Sequence, residues 1–253
     1  MTALFETTRL GKSYGVLKAL EDVTLAIHEG ELVSIVGPNG AGKTTLVNLL
    51  TGLLRPTTGD VRFLGESVAG IGPVELADRG VARAFQLIQI FPQLTVAETI
   101  AAAVVSRQKK RWRLFASLAG DAEISRRVAE VAEIFGLTPR LDTPSANLSQ
   151  GEKKLLDVAS AFALDPQVIL LDEPTSGVST GDKHGIMKTL IDAARQAGVK
   201  GIVLVEHDMD LVAEYSDRII ALAEGKVIAD LAPAQFFADP MIIETVVGKR
   251  RGH

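Results

Sequence analysis

The fold is decided by the stretch Gly37-Pro38-Asn39-Gly40-Ala41-Gly42-Lys43-Thr44-Thr45, which satisfies the pattern G-x-x-x-x-G-K-[ST]. The apolar run before it, residues 32–36, is typical of a buried strand, and residues 45–50 carry apolar side chains at helical spacing. The glycines let the backbone turn its N–H groups inward around oxygen atoms, and the N-terminus of the following helix adds positive partial charge. The stretch therefore predicts a loop that binds phosphate groups.

A phosphate loop of this type makes two of its own side chains and one upstream of it candidates for nucleotide binding. When a nucleotide occupies such a loop, the ammonium group of Lys43 reaches the β- and γ-phosphates and the hydroxyl of Thr44 binds Mg²⁺. Tyr14 stands next to Gly15 in a predicted loop upstream. We interpret it as an aromatic side chain that stacks on an adenine ring, with an ordinary exposed tyrosine as the alternative.

Composition limits the class of protein. Of the 253 residues, 47% are hydrophobic and 23% are charged, as in ordinary globular domains, and the net charge of -4 gives no attraction to nucleic acid along the sequence. Cysteine is absent, which excludes disulfides and thiolate metal sites. No run approaches the about 20 apolar residues of a membrane-spanning helix, and the N-terminus lacks a signal-peptide pattern. We expect a cytoplasmic chain.

The predicted strands surround the phosphate loop in sequence. Alternating residues 23–27 predict a half-buried strand before it, and residues 61–64, after a turn, predict an edge strand. Residues 81–85 predict a strand that ends at Gln86. A late hairpin at residues 218–229 precedes short helices around Phe236 and Ile243. This order is typical of an α/β fold.

Helical patterns replace the strand patterns in the middle of the chain. Thr95 and Glu98 have the spacing of a capping box and open an Ala-rich helix. From there to Leu164 helical signals dominate, so we predict a helical subdomain at about 95–164. We expect one domain over residues 1–248 and a mobile tail at residues 249–253.

Two more apolar runs end in polar side chains. One leads into Asp172 and Glu173, as in a central parallel strand whose C-terminal edge faces a ligand. Beside a phosphate loop, Asp172 can hold Mg²⁺ directly or through water, and Glu173 can orient the attacking water. The other, residues 201–205, leads towards His207, a candidate contact to the γ-phosphate or a structural histidine.

A second motif opens a predicted helix at Ser149. This residue and Glu152 have the spacing of an N-cap and its N3 partner, and the helix that follows carries apolar residues on one face. Capping explains the stability of this helix but not Gly151, because glycine in a first turn weakens a helix while it lets another group approach the backbone.

Together these residues resemble the ATP-binding subunits of ABC transporters, from Tyr14 to about Gly248. The motifs follow one another in the order of that family. They are the A-loop aromatic Tyr14, the Walker A residues Gly37, Pro38, Asn39, Gly40, Ala41, Gly42, Lys43, Thr44 and Thr45, the Q-loop Gln86, the signature residues Leu148, Ser149, Gln150, Gly151 and Glu152, the Walker B strand from Val168 to Asp172 with Glu173 after it, and the switch histidine His207.

The resemblance implies a P-loop NTPase fold with a mostly parallel core sheet, an N-terminal antiparallel β portion and an inserted helical subdomain. It implies an enzyme that hydrolyses ATP with Mg²⁺ as cofactor. The catalytic residues implied are Lys43, Gln86, Glu173 and His207, and the implied Mg²⁺ ligands are Thr44, Gln86 and Asp172. The remaining Walker A residues, Tyr14 and the signature residues Ser149, Gln150, Gly151 and Glu152 are implied to bind ATP.

The resemblance also implies a head-to-tail dimer of ATPase subunits. Ser149 and Gly151 of one subunit would close on the γ-phosphate held by the Walker A loop of the other, which accounts for the glycine that capping leaves unexplained. Two positions depart from the family pattern. Gln150 replaces a usual glycine, and residues 177–180 contain no aspartate where the family usually has Ser-Ala-Leu-Asp.

Within the family, residues 83–86, 91–96, 206–209 and 238–243 look most like those of branched-chain amino acid importers. Importers of urea and short-chain amides look similar, and a lipid exporter is a further alternative. Such importers combine two membrane permease subunits, two identical or different ATPase subunits and an external substrate-binding protein. The resemblance thus places this chain on the cytoplasmic face of the cell membrane.

A different class, the ABC-type ATPases that act on nucleic acid or ribosomes, usually has a long coiled-coil insertion, a second cassette or basic surfaces. The sequence has none of these features, so we expect no nucleic acid partner. The basic stretch at residues 107–113 is interpreted as a solvated loop, with contact to anionic lipid headgroups or a partner as the alternative.

Overall fold

The computed structural model describes residues 2–84, 91–107 and 121–247. Predictions for Gln86, for most of the basic stretch at 107–113 and for the tail at 249–253 lie outside the described residues. Within the described ranges, no helix is long and apolar enough to cross a membrane.

The strands, in chain order, are β1 (Ala3–Tyr14), β2 (Leu17–His28), β3 (Leu32–Val36), β4 (Thr58–Phe63), β5 (Glu66–Ser67), β6 (Val81–Arg83), β7 (Val168–Asp172), β8 (Gly201–Val205), β9 (Arg218–Ala223) and β10 (Lys226–Leu231). The helices are α1 (Lys43–Leu50), α2 (Pro73–Asp78), α3 (Val96–Arg107), α4 (Ala122–Ile134), α5 (Gln150–Phe162), α6 (Thr180–Gln196), α7 (Met209–Tyr215), α8 (Pro233–Phe237) and α9 (Pro240–Val247). Short 3₁₀ turns occur at Thr138–Arg140 and Ser145–Asn147.

The chain divides into two compact units, one formed by residues up to Arg79 and from Lys200 onward, the other by Gly80–Val199. The first unit contains an antiparallel sheet in the order β2-β1-β4-β5. The prediction of an edge strand at residues 61–64 is wrong, because β4 lies between β1 and β5. Leu64 and Gly65, both with positive φ, reverse the chain there and return β5 onto β4.

The other strands of the first unit include β3, which leads into the phosphate loop, and the strands beside it. Strand β3 pairs in parallel with β8 on one side and β9 on the other, and β10 pairs antiparallel with β9. Every residue of β3 and β8 is buried, which explains why both read as continuous apolar runs rather than alternating ones. The predicted late hairpin and the two short helices after it, α8 and α9, are confirmed.

The second unit combines two parallel strands with helices. Strands β6 and β7 pair in parallel, and β6 ends at Arg83, before the residues to which the predicted strand extended. The capping box of α3 is confirmed: the Thr95 N–H donates to Glu98 Oε2 at 2.8 Å, and the Glu98 N–H donates to Thr95 Oγ1 at 3.2 Å. Between residues 95 and 164, the described residues form helices α3, α4 and α5, 3₁₀ turns and loops.

Candidate functional site

The phosphate loop runs from the end of β3 to the start of α1, and its glycines are required by the backbone. Gly37 (φ 149), Gly40 (φ 81) and Gly42 (φ 103) all have positive φ. A Cβ atom at Gly37 would lie 2.2 Å from the carbonyl oxygen of Leu222, and one at Gly42 would lie 2.7 Å from that of Ala19. Gly42 is also the N-cap of α1. The loop thus adopts a conformation that residues with side chains rarely take.

Lys43 is held inside the loop that it follows. Its side chain is buried, and Nζ donates hydrogen bonds to the carbonyl oxygens of Gly37 at 2.7 Å and of Pro38 at 3.0 Å. Asn39, Gly40 and Thr44 are exposed around it. A positive charge and the N-terminus of α1 therefore lie in the same glycine-rich loop, an arrangement suited to anionic oxygen atoms.

His207 leaves the sheet at the same edge as the phosphate loop. Because β3 and β8 are parallel neighbours with Ile35 opposite Val205, the residues that follow both strands emerge at one edge. His207 is exposed, whereas Glu206 before it is 4% exposed. Oε2 of Glu206 accepts hydrogen bonds from the N–H groups of His207 at 2.9 Å and Asp208 at 3.4 Å. The buried carboxylate thus orders the turn that carries the histidine.

Tyr14 is the last residue of β1, so the prediction of a loop at this position is wrong. It pairs with Leu17 across the hairpin, which restricts the turn to the two residues between them. The side chain of Tyr14 is nevertheless 49% exposed, and Nζ of Lys12 lies 5.3 Å from its ring centroid. The ring is therefore accessible for stacking at the end of a paired strand.

In the second unit, Asp172 at the end of β7 forms an ion pair that the sequence analysis missed. Nη2 of Arg83 donates to Oδ2 of Asp172 at 2.6 Å, and both side chains are largely covered. Arg83 ends the neighbouring parallel strand β6, opposite Leu170 of β7. The carboxyl ends of neighbouring parallel strands meet at one edge of a sheet. A basic residue at the end of one strand and an acidic residue at the end of another could therefore have been used to predict this ion pair.

Glu173 has a strained backbone and a second contact that the sequence did not indicate. Its φ of 49 lies in the left-handed region, which is uncommon for a residue with a side chain. Its carbonyl oxygen accepts hydrogen bonds from Nζ of Lys154 at 3.3 Å and from the N–H of Ser176 at 3.1 Å. These contacts support the strained turn after β7.

The predicted capping box at the start of α5 is confirmed. Oγ of Ser149 accepts from the N–H of Glu152 at 3.2 Å, and Oε2 of Glu152 accepts from the N–H of Ser149 at 2.8 Å. Nε of Arg140 donates to Oε1 of the same carboxylate at 2.9 Å. The pKa of Glu152 is lowered most by the hydrogen bond from the Ser149 backbone and next by the hydrogen bond with the Ser149 side chain. The hydrogen bond and the positive charge of Arg140 lower it further.

Gln150 and Gly151 occupy the first turn of α5. Gln150 is helical and has no positive φ, so the position where the family usually has glycine accepts a side chain here. A Cβ atom at Gly151 would lie 3.3 Å from Cδ1 of Ile186 in α6. The glycine therefore also relieves packing within this unit, a local reason that the sequence analysis did not find.

The signature residues line a cavity together with the loop that lacks the usual aspartate. This cavity has a volume of about 660 Å³, and its lining includes Ser149, Gly151, Gly177, Ser179 and Asp182. Oγ of Ser179 donates to Oδ2 of Asp182 at 2.6 Å. A carboxylate thus lies in the first turn of α6, although residues 177–180 contain none.

The oxygen donors of the predicted site fit Mg²⁺ that arrives with a nucleotide. Within residues 2–84, 91–107 and 121–247, no cluster of three His, Cys, Asp or Glu could hold a resident metal ion. Protein-bound Mg²⁺ commonly takes one or two protein ligands and completes its shell with phosphate oxygens and water. The exposed Thr44 hydroxyl and the partly exposed Asp172 carboxylate, each described in its own unit, are donors of that kind.

The fold and the phosphate loop define a P-loop protein that binds a nucleoside triphosphate. The family model described as ABC transporter matches residues 20–176, which is more than half of the chain. The chain belongs to the ABC transporter family and is the ATPase subunit of a transporter. The predicted fold class and ATPase activity are therefore confirmed.

Named relatives and solved structures agree with this assignment. The chain is 32% identical over 253 residues to the high-affinity branched-chain amino acid transport ATP-binding protein LivG of Escherichia coli, covering 97% of this chain and 98% of that protein. It matches the ADP conformation of an ATP-binding cassette of an ABC transporter with a TM-score of 0.87 and 28% identity, covering 98% of this chain and 100% of that one. A dimeric post-hydrolysis cassette bound to ADP and Pi matches with a TM-score of 0.75 and 27% identity, covering 90% of this chain and 98% of that one.

Proposed function

We propose that this chain powers the import of branched-chain amino acids. The observation that carries the proposal is the similarity to LivG, which extends over nearly the whole length of both proteins. On this proposal the chain lies on the cytoplasmic face of the cell membrane. It works there with two permease subunits, a second ATPase subunit and an external substrate-binding protein, and the permeases and the binding protein select the substrate.

In the proposed site, ATP lies on the Walker A loop and the residues named in the sequence analysis have distinct roles. The loop amides and Lys43 neutralise phosphate charge, and Tyr14 stacks on the base. Glu173 orients the attacking water and accepts its proton, while His207 contacts the γ-phosphate. Mg²⁺, held by Thr44, Asp172 and Gln86, would neutralise charge on the phosphates.

The signature motif is proposed to act on the neighbouring subunit. Ser149, Gln150, Gly151 and Glu152 line an open cavity at the N-terminus of α5, where backbone N–H groups and positive partial charge favour an anion. The solved dimeric cassette with ADP and Pi supports pairing of two such subunits. A γ-phosphate held by the partner's Walker A loop is the proposed ligand.

The substrate can be tested by uptake in the source cell. Deletion of the gene should abolish high-affinity uptake of radiolabelled leucine, isoleucine and valine, and the wild-type gene should restore it. The Glu173→Gln gene is the matched control, because it retains the shape of the side chain but lacks the water-orienting carboxylate. If the deletion leaves leucine uptake unchanged but abolishes uptake of urea or short-chain amides, the proposed substrate is wrong. If it alters lipid export instead, the proposed direction of transport is wrong.

A further inference from the structure

Among the described residues, Arg83 contacts the proposed metal ligand Asp172 through a charged side chain. Main-chain pairing sets its position, because Arg83 lies opposite Leu170 and the N–H of Ala84 donates to the carbonyl oxygen of Leu170 at 3.1 Å. The side chains of Arg83 and Asp172 are 10% and 23% exposed. The 2.6 Å contact is therefore held by two paired strands and is partly shielded from water.

We propose that Arg83 is a positioning residue for Asp172 that competes with Mg²⁺ for its carboxylate. This inference rests on the proposed role of Asp172 as a metal ligand but is independent of the transported substrate. In the observed geometry Oδ2 is bonded to the guanidinium, and the positive charge of Arg83 lies against the group that would bind another cation. Arg83 thus fixes the orientation of the carboxylate and lowers its affinity for Mg²⁺.

The competition makes metal binding depend on the nucleotide. A lone Mg²⁺ gains little from a carboxylate already neutralised by an arginine, because the attraction between the two charges is strong in a shielded pair. Mg²⁺ bound to ATP brings phosphate oxygens as further ligands and so depends less on Asp172. Arg83 would therefore keep the site free of metal until the nucleotide arrives.

Some arginine pairs among the described residues are far more exposed than the Arg83–Asp172 pair. Arg79, for example, contacts Glu66 at 2.9 Å and Glu75 at 2.8 Å, with 76% and 58% of the two carboxylate side chains exposed. Exposed pairs of this kind contribute little and are screened by salt. Arg79→Gln is therefore a control that removes a paired guanidinium other than that of Arg83.

The test is a titration of Mn²⁺, as a spectroscopic substitute for Mg²⁺, into the purified full-length chain, followed by electron paramagnetic resonance. Arg83→Gln should bind Mn²⁺ without nucleotide about fivefold more tightly than the wild type, the size expected for loss of one moderately screened charge contact. Arg83→Lys retains the charge and should stay closer to the wild type. The affinity of Arg79→Gln for Mn²⁺ should equal that of the wild type.

Two further measurements keep the test decisive. Thermal melts identify any variant that fails to fold, and the charge-neutral Arg83→Met takes the place of Arg83→Gln if that variant does not fold. Unchanged or weaker Mn²⁺ binding in a folded charge-neutral variant, Arg83→Gln or Arg83→Met, with normal binding of an ATP analogue in EDTA, overturns the role of Arg83 alone. Failure of the wild type to bind the analogue would instead contradict the proposed nucleotide site.

Discussion

Nζ of Lys154 donates a hydrogen bond to the carbonyl oxygen of Glu173 at 3.3 Å. Lys154 lies in α5, whose first turn carries the signature residues, and Glu173 is the proposed water-orienting residue. One helix thus contributes to the proposed partner-facing surface and also supports the strained backbone beside the proposed catalytic carboxylate. The contact links two parts of the second unit that are expected to act on different ATP molecules.

Lys154→Met should lower kcat for ATP hydrolysis about tenfold with a smaller change in KM. The reason is that loss of a charged hydrogen bond worth about 1.5 kcal/mol releases the turn that orients Glu173. Lys153→Met removes a charge from the same helical turn and serves as the control. Equal losses of kcat in the two variants, measured by steady-state phosphate release, would contradict a specific role for Lys154.

Gly37→Ala should be much more destabilising than Gly40→Ala. Both glycines have positive φ, but a Cβ atom at Gly37 would lie 2.2 Å from the carbonyl oxygen of Leu222, whereas no described atom outside Gly40 and its two chain neighbours lies within 4 Å of one at Gly40. Gly40→Ala should cost about 1 to 2 kcal/mol for the backbone conformation alone, and Gly37→Ala about 1 to 3 kcal/mol more. Urea unfolding measures both, and equal free energies of unfolding would show that the loop moves away from Leu222.

Tyr14→Ala should weaken ATP binding by about 1 to 3 kcal/mol if the exposed ring stacks on adenine as aromatic side chains stack on bases elsewhere. Tyr14→Trp should preserve the affinity. Leu17→Ala removes the exposed cross-strand neighbour of Tyr14 and controls for disturbance of the hairpin. Equilibrium titration with a fluorescent ATP analogue is the measurement, and equal affinities for wild type and Tyr14→Ala would leave the tyrosine without a role in binding.

Ser149→Arg should leave ATP binding to the isolated chain intact but abolish hydrolysis in the assembled transporter. Loss of the N-cap costs about 1 kcal/mol of stability, and the bulky cation blocks the proposed surface for the partner's γ-phosphate. Thr95→Ala removes another capping box of the same unit and should lower stability by a similar amount while hydrolysis continues. Full activity of folded Ser149→Arg transporter would rule out action on the neighbouring subunit.

The contribution of Glu152 to stability should depend on pH. Because its folded-state pKa lies below the ordinary value of 4.5, the carboxylate stabilises the fold above that pH, and the benefit disappears as the pH falls through the lowered pKa. Glu152→Gln should therefore be less stable than wild type at pH 7. The two should be equally stable once the pH is low enough to protonate the carboxyl group of Glu152. Free energies of unfolding between pH 7 and 3 test this. Arg140→Gln should shrink the difference, and a gap that persists at low pH would show a cause other than ionisation.

The sequence alone determined the features that neighbouring residues encode. The phosphate loop, the capping boxes at Thr95 and Ser149 and the hairpin at residues 218–229 each depend on chemistry within a few positions, so residue type and spacing were sufficient to predict them. The acidic end of β7 was predicted for the same reason, since a continuous apolar run followed by carboxylates is a local pattern.

Tertiary structure decided the contacts that depend on which strands are neighbours and in what register. Arg83 meets Asp172 across 89 residues of sequence, and the carbonyl oxygen of Leu222 closes the space beside Gly37. Strand β4 is internal rather than at an edge because β5 turns back onto it. Periodicity shows which face of an element is buried but carries no information about its partner, because hydrophobic burial is not directional and main-chain hydrogen bonds are the same for every residue pair.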